Sequence, residues 1–271
     1  ASARKKRDRE RRRMRATRVL RMTLQGKRAL VTGAGKGIGR GLVDELCNKG
    51  ATVYAVTRSQ KDLDAIVNDH PTAVPIQCDL SDTDQIKSAL QDIQPPHYVV
   101  NNAGVTNIAP FLETDLKDWD RVMDVNVKSI MVVSQICAKK MIEEKIAGSV
   151  VNISSMGAEI GLANHTLYCT SKGAVNQLTR VMALELGAHG IRTNCVQPTI
   201  VFTTMGRLAW SDPVKNRPMR ERTPLGKFCE VEDVVKPVMF LLSDHAAMIN
   251  GAMIPIEGGI LASPFSLVED E

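Results

Sequence analysis

The stretch that decides the fold runs from residue 28 to residue 50 and reads RALVTGAGKGIGRGLVDELCNKG. Its first five residues form an apolar run that predicts a buried strand, and IGRGLVDELCN places apolar residues at helical spacing before a glycine stop. Between the two lie Gly33, Gly35, Gly37 and Gly39. Glycine lets an anion approach the backbone closely, and a helix start offers it unpaired N–H groups. The turn therefore predicts a phosphate-binding site for a dinucleotide.

The same alternation of short apolar runs and longer amphipathic runs continues from residue 51 to residue 259. Six further strands are predicted at 51–56, 73–80, 97–104, 148–155, 191–198 and 252–259, with helices between most of them. Strands that are continuously apolar and separated by helices are typical of a parallel sheet covered on both faces. We expect one doubly wound α/β domain with a seven-stranded, mostly parallel sheet.

The segment from residue 199 to residue 228 departs from this alternation. It is rich in Pro, Met, Arg and Thr and has weak periodicity. A long irregular segment in a compact domain is usually functional. This one follows a sheet strand, so it lies where open α/β sheets bind ligands. We interpret it as a substrate lid.

The charge of the chain is concentrated at one end. The net charge is +5, yet residues 1–21 alone carry 11 Lys or Arg and 2 Asp or Glu, which leaves 24 basic and 28 acidic groups in the rest. So basic a segment predicts a disordered arm over residues 1–23, before a domain over 24–271. A nucleic-acid or anionic-membrane patch, a nuclear signal and an organelle presequence are the alternatives. We expect a cytoplasmic protein, or a mitochondrial or peripheral membrane protein if the arm directs it.

The cysteine spacing and the hydropathy pattern indicate whether the chain is a disulfide-rich, zinc-binding or membrane protein. The cysteines form no C-x-x-C pair, which indicates reduced thiols rather than a disulfide framework or a zinc site. No run of eighteen apolar residues occurs, so no transmembrane helix is predicted. We expect neither a metal nor a nucleic-acid partner.

The residues after the second strand indicate which dinucleotide binds. An NAD site usually has an Asp or Glu there to hold the ribose 2′-hydroxyl, whereas this chain has Thr57 and Arg58. Arg58 and Lys36 could instead form charge-assisted bonds with a 2′-phosphate. This predicts NADP(H), and the alternative for Arg58 is a solvated surface charge. Asp79 ends the third strand, where a carboxylate can bond the adenine edge.

A proton-transfer group is predicted around Tyr168. Tyr168 and Lys172 lie one turn apart on a predicted helix, and a neighbouring ammonium is expected to lower the pKa of the phenol. Ser155 ends the fifth strand and could donate a second hydrogen bond to a carbonyl oxygen. Asn126, in a long helix predicted over 119–144, could anchor a water that links Lys172 to solvent.

The order T-G-x-x-x-G-x-G, N-N-A-G, Asn126, Ser155 and Y-x-x-x-K resembles the short-chain dehydrogenase/reductase family over residues 24–262. The resemblance implies a Rossmann-like fold and a catalytic tetrad of Asn126, Ser155, Tyr168 and Lys172. The positions that match cofactor-binding ones are Gly33, Gly35, Lys36, Gly37, Ile38, Gly39, Arg58, Asp79, Leu80, Asn102, Ala103, Gly104, Tyr168, Lys172, Pro198, Ile200 and Thr203. The positions that match substrate-contacting ones are Ser155, Met156, Leu162, His165, Tyr168 and Trp210.

The function that the resemblance implies is the NADPH-dependent reduction of a small carbonyl compound, such as a ketose or an α-diketone, by a homotetramer. Three alternatives stay open from the sequence. One is a carbonyl reductase of other specificity, the second a non-catalytic NADP-binding regulatory protein, and the third an adaptor that acts at nucleic acid or a membrane surface through the basic arm.

Overall fold

The fold is a single seven-stranded sheet, seen in a computed structural model that describes residues 23–203 and 212–262. Each predicted strand is present within the predicted range or one residue beyond it. The strands are β1 (Arg28–Thr32), β2 (Thr52–Thr57), β3 (Val74–Gln77), β4 (Tyr98–Asn101), β5 (Ser149–Ile153), β6 (Arg192–Pro198) and β7 (Met253–Ile256). The segments 1–22, 204–211 and 263–271 lie outside the described residues.

All seven strands run parallel, in the order β3-β2-β1-β4-β5-β6-β7. The chain builds outward from β1 to β3 and then returns to place β4 on the other side of β1. In register, Ala29 of β1 pairs with Val53 of β2 on one side and with Tyr98 of β4 on the other. The crevice beyond the carboxyl ends of β1 and β4 is thus the topological switch point, where open sheets bind ligands. The Rossmann-like fold is confirmed.

Helices cover both faces of this sheet. They are α1 (Gly37–Asn48), α2 (Gln60–Asp69), α3 (Thr83–Leu90), α4 (Leu116–Met123), α5 (Ser129–Glu143), α6 (Thr166–Gly187), α7 (Pro213–Glu221) and α8 (Val231–Leu242). Because side chains alternate along a strand, Leu30 packs into the core with α3 and α5, and Val31 packs into the core with α1 and α8. Among the described residues, no helix combines the length and the apolar character that crossing a membrane requires.

The structure differs from the predicted helices in two places. The long helix predicted over 119–144 is split into α4 and α5 by a π-helical turn, Asp124–Lys128, which contains Asn126. The segment 199–228 is not wholly irregular, since it contains α7. Pro218 inside α7 and the exposed side chain of Val214 break the apolar spacing that predicts a helix.

Candidate active site

The glycine turn is tied to the end of β4 by hydrogen bonds across the switch point. The Asn102 side chain donates from Nδ2 to the carbonyl oxygens of Thr32, at 3.0 Å, and Gly33, at 3.2 Å. In return, Thr32 Oγ1 accepts from the backbone N–H groups of Asn102 and Ala103, at 3.0 and 3.1 Å. The two loops therefore form one unit, and Asn102 acts by shaping it.

Two glycines of the turn leave no room for a side chain. A Cβ on Gly39 would lie 2.1 Å from the carbonyl oxygen of Gly33, so the turn and α1 approach each other there. Gly37 has a φ of +55°, and a Cβ on it would lie 2.7 Å from Cγ2 of Thr203. The start of α1 is thereby held close to the turn with its first N–H groups available to a phosphate. Gly35 and the backbone of Ile38 belong to the same turn, while the Ile38 side chain packs against the core.

A pocket at this edge brings together six of the predicted cofactor residues. Its lining includes Gly33, Arg58, Asp79, Leu80, Ala103 and Gly104. Four further residues line it that the sequence did not single out, namely Thr57, Cys78, Val105 and Val125. Each follows or faces the carboxyl end of a strand, which is the signal that could have identified them. The pocket lies at the carboxyl ends of the strands, where a doubly wound sheet binds its ligand.

Two cations lie beside the start of α2, next to this pocket. Arg58 immediately precedes Ser59, which caps α2 by accepting from the N–H of Asp62. The Arg58 side chain is 71% exposed, with Nη1 4.0 Å from an Asp79 carboxylate oxygen. The Lys36 side chain is 77% exposed, with Nζ 3.8 Å from a carboxylate oxygen of Asp62. Loosely paired cations at these positions fit a dinucleotide with a 2′-phosphate.

Asp79 is fixed at the pocket by its own loop. Its Oδ1 accepts from the backbone N–H and the hydroxyl of Ser81, at 2.9 and 2.8 Å. The hydrogen bond from the Ser81 N–H is the main cause that lowers the pKa of Asp79. The carboxylate is thus charged and held at the pocket wall, as an adenine partner would need to be.

The remaining predicted cofactor residues follow β6. Pro198 ends that strand, and the Ile200 carbonyl oxygen accepts from the N–H of Cys229 at 3.1 Å. Thr203 lies against the glycine turn, since a Cβ on Gly37 would lie 2.7 Å from Thr203 Cγ2. Pro198 thus ends a strand of the sheet, and Thr203 lies beside the glycine turn.

The predicted catalytic residues converge beside this crevice. Ser155 follows β5, and its side chain lies close enough to the half-buried Tyr168 phenol to lower the pKa of that group. Lys172 lies one turn after Tyr168 on α6, with Nζ 5.6 Å from the centre of the Tyr168 ring. Lys172 Nζ donates to the carbonyl oxygen of Ile153 at 2.8 Å. Two hydroxyl groups and one ammonium group thus share a site at the carboxyl ends of β4 and β5.

The predicted effect of Lys172 on Tyr168 is wrong for the protein as the structure describes it. Burial raises the pKa of the phenol, and the hydrogen bond with Ser155 opposes this only in part. Burial also lowers the pKa of Lys172 to about 8, because the ammonium is almost wholly removed from water. Lys172 donates to Ile153 and does not hold the phenolate. At neutral pH Tyr168 therefore stays protonated, which is the state that a proton donor needs.

Asn126 lies in the π-helical turn and holds a neighbouring loop. Its Oδ1 accepts from the N–H of Val105 at 2.8 Å, and its Nδ2 donates to the Val105 carbonyl oxygen and the Ser171 hydroxyl, both at 2.9 Å. A Cβ on Gly104 would lie 3.5 Å from both Asn126 Oδ1 and Lys172 Nζ. Such π-turns are frequent at functional sites. Asn126 thus positions the loop that faces Lys172, and the predicted water link stays a prediction.

The predicted substrate residues form a rim next to Tyr168. The His165 ring meets the Tyr168 ring edge to face, with 6.4 Å between centres, and its Nδ1 is 2.7 Å from the Ala163 carbonyl oxygen. Met156 is buried directly after Ser155, and Leu162 lies close to the turn at Gly157. Trp210 lies outside the described residues.

Comparison with known proteins agrees with this arrangement. The family described as Enoyl-(Acyl carrier protein) reductase matches residues 33–261, which include the glycine turn, strands β2 to β7 and the predicted catalytic residues. The chain belongs to the short-chain dehydrogenase/reductase family. It is thus an oxidoreductase by family, and the predicted resemblance is confirmed.

Curated relatives and solved structures within this family are similar over most of their length. The chain is 48% identical to "L-xylulose reductase" from Homo sapiens over 88% of this chain and 98% of the relative. It is 46% identical to "Carbonyl reductase [NADPH] 2" from Sus scrofa over 90% and 100%. A solved structure of a putative NAD(P) dependent gluconate 5-dehydrogenase from Beutenbergia cavernae, with bound NADP, superposes with a TM-score of 0.83. That structure is 32% identical, over 89% of this chain and 99% of the neighbour.

Supporting residues around the site were missed from sequence. Ser171 Oγ donates to the Tyr168 carbonyl oxygen at 2.7 Å and accepts from Asn126. Ser154 Oγ donates to the Lys172 carbonyl oxygen at 3.1 Å. Buried hydroxyl groups need partners, so a serine at a buried helix or strand position is the signal that could have identified them.

The closest approach within the glycine turn is between Gly39 and the carbonyl oxygen of Gly33. We expect Gly39→Ala to abolish measurable NADPH binding and to lower the melting temperature, because the added Cβ must displace the backbone at Gly33. Fluorescence titration with NADPH and thermal unfolding check this. Gly173→Ala in α6 is the matched control, since its Cβ would meet nothing within 4 Å. Unchanged NADPH affinity in Gly39→Ala would show that the turn does not carry the cofactor.

Proposed function

We propose that this protein reduces small carbonyl compounds with NADPH, L-xylulose to xylitol and α-dicarbonyls such as diacetyl among them. The observation that carries the proposal is the convergence of Ser155, Tyr168 and Lys172 beside a glycine turn that fits a dinucleotide. The near-half identity to a human L-xylulose reductase supports the ketose, and the pig relative named as an NADPH carbonyl reductase supports a wider carbonyl range.

The catalytic work of the chain is to bind the carbonyl oxygen and to protonate it. A reduced nicotinamide supplies hydride to the carbonyl carbon when NADPH is bound. The hydroxyl groups of Ser155 and Tyr168 donate hydrogen bonds to the carbonyl oxygen, where negative charge develops. Tyr168 then transfers its proton to that oxygen. Lys172, held by Ile153 beside the phenol ring, then resupplies a proton through water to the phenolate left behind.

The proposed preference for NADPH over NADH rests on Arg58 and Lys36. Both are exposed cations beside the pocket, and each is only loosely paired with a carboxylate. A 2′-phosphate can therefore form ion pairs with both side chains without first breaking a strong ion pair. The position after β2 that would hold a ribose 2′-hydroxyl with a carboxylate is occupied by Thr57 and Arg58.

We also propose that residues 199–228 cover the bound substrate and that residues 1–23 form an arm outside the catalytic domain. In support of the cover, Phe202 and Phe228 meet edge to face with 5.2 Å between ring centres, and Phe202 N–H donates to the Cys229 carbonyl oxygen at 2.8 Å. The two ends of the segment are thus joined next to β6.

A homotetramer is the proposed assembly, from the family resemblance. Exposed apolar side chains support it, since Leu184 of α6 and Met248 after α8 are 81% and 96% exposed. A contiguous exposed apolar patch marks an interaction surface, so the proposal requires that these side chains belong to one. Light scattering of the purified protein tests the assembly, and a monomeric mass would contradict it.

A substrate panel tests the proposed function. We expect NADPH oxidation with both L-xylulose and diacetyl, a kcat/KM for NADPH that exceeds that for NADH, and no turnover of either carbonyl without cofactor. Initial rates at 340 nm with each carbonyl and each nicotinamide measure this. Tight NADPH binding without turnover of any carbonyl would contradict the proposal and favour a non-catalytic NADP-binding protein.

A further inference from the structure

A network of buried amides lies on the side of Lys172 that faces β6. Glu159 follows the short 3-10 turn Met156–Ala158, which begins directly after Ser155. One oxygen of its carboxylate, Oε1, accepts from Asn176 Nδ2 at 2.9 Å and from Gln197 Nε2 at 2.6 Å. Asn176 and Gln197 are almost wholly buried, at 4% and 1% exposed. Two buried amides from α6 and β6 thus anchor one carboxylate at the edge of the site.

The carboxylate fixes which way the Asn176 amide points. Because Glu159 accepts from the Asn176 NH₂ group, the Asn176 carbonyl oxygen must face the opposite way. It accepts there from the Cys195 thiol, with 3.6 Å between Sγ and Oδ1. Cys195 is fully buried on β6, and Lys172 is the nearby cation that acts on it. The contacts therefore lead from Glu159 through Asn176 to Cys195, which interacts electrostatically with Lys172.

We propose that Glu159 is a positioning residue for Lys172, acting through Asn176 and Cys195. The inference rests on the proposed role of Lys172 in carbonyl reduction. Glu159 orients the Asn176 amide so that its negative end faces the Cys195 thiol, and the carboxylate charge favours the ammonium form of Lys172 beyond that thiol. Gln197 joins the same carboxylate to the end of β6, so Glu159 also holds the strand that carries Cys195.

Few other charged groups near Lys172 could favour its ammonium form. The titratable groups around it are Tyr168 and Cys169 on its own helix, Cys195 on β6 and Glu159 beyond the 3-10 turn. From the β4 and β5 sides it is faced by Gly104, Asn126 and the Ile153 carbonyl oxygen, which carry no net charge. Burial raises the pKa of Cys195 to about 11, so the thiol stays neutral. Glu159 is the only carboxylate among these groups.

The test is the titration of Lys172 in the whole protein. We use ¹³C-labelled lysine, with the Lys172 resonance assigned by its loss in Lys172→Arg. In Glu159→Gln the titration midpoint of Lys172 is expected to fall measurably below the wild-type value, because the variant removes a negative charge that favours the ammonium form. Glu159→Asp, which keeps the charge, should restore most of the wild-type midpoint. Glu185→Gln, which removes an exposed charge elsewhere on α6, is the matched control and should leave it unchanged.

Two further measurements test the proposed role of Glu159. If Glu159→Gln does not fold, Asn176→Ala breaks the same path, and a lower Lys172 midpoint is again expected. In carbonyl reduction, the alkaline limb of the pH profile should move to lower pH in the same variants. A Lys172 midpoint equal to wild type in Glu159→Gln or Asn176→Ala overturns the inference, even where the melting temperature falls. Absence of reductase activity in wild type with a shifted midpoint would overturn the proposed function alone.

Discussion

Tyr168→Phe is expected to lower kcat for carbonyl reduction by ~10²–10⁴-fold, the usual contribution of a general acid. The change removes a single oxygen atom, which is the proposed proton donor and lies beside the Ser155 side chain. The ring and the helix around it stay in place, so NADPH affinity should remain within a small factor of wild type. Steady-state rates with diacetyl and fluorescence titration with NADPH measure the two effects separately.

Tyr54→Phe is the matched control for this change. Tyr54 is a buried tyrosine of β2 whose hydroxyl accepts from the Gln94 N–H at 3.1 Å, away from the site. It should lose some stability and keep its kcat. If Tyr168→Phe turned over carbonyl substrates as fast as wild type, the phenol could not be the acid, and Lys172 or water would have to supply the proton.

Arg58→Asp is expected to reverse the cofactor preference. A charge-assisted bond to a phosphate is worth ~1.5–3 kcal/mol, so losing it raises the KM for NADPH by about 10–150-fold at 1.4 kcal/mol per factor of ten. The new carboxylate also repels the 2′-phosphate, and it can accept from the 2′-hydroxyl of NADH. The ratio of kcat/KM for NADPH over NADH should therefore fall by more than the KM effect alone.

The control for Arg58→Asp is Lys61→Asp, which makes the same change of charge in the first turn of α2. A general loss of positive potential would lower the NADPH preference in both variants. A direct contact lowers it strongly in Arg58→Asp and weakly in Lys61→Asp. Equal ratios in Arg58→Asp and wild type would mean that Arg58 is a solvated surface charge, the alternative left open by the sequence.

Much of the fold could be predicted because local patterns and global topology agree here. The glycine turn after Thr32 fixes the first strand-turn-helix unit, and the continuous apolar strands after it allow little besides a parallel sheet. The helix α7 was missed because Pro218 and the exposed Val214 break the apolar spacing that predicts a helix. The π-turn around Asn126 was missed because a π-turn keeps the composition of the α-helix around it.

The predicted catalytic residues could be identified from their spacing in the sequence, whereas the directions of their pKa shifts could not. Tyr168 and Lys172 lie one turn apart, so helical geometry alone places them on one face. The direction of the Tyr168 pKa depends on how deeply the phenol is buried, which the sequence does not state. The network of Glu159, Asn176 and Gln197 combines a loop, a helix and a strand that meet only in the folded chain. For the same reason, the hydroxyl groups of Ser154 and Ser171 gained a role only once their partners were seen.

The proposed mechanism requires that the hydroxyl groups of Tyr168 and Ser155 both donate to one substrate carbonyl oxygen. A crystal structure of the protein with NADPH and a slowly reduced ketone measures this directly. We expect the carbonyl oxygen within hydrogen-bond reach of both hydroxyl groups, at ~2.6–3.2 Å, with the carbonyl carbon facing C4 of the nicotinamide. A ketone bound at C4 whose oxygen lies far from the Tyr168 hydroxyl would contradict the account.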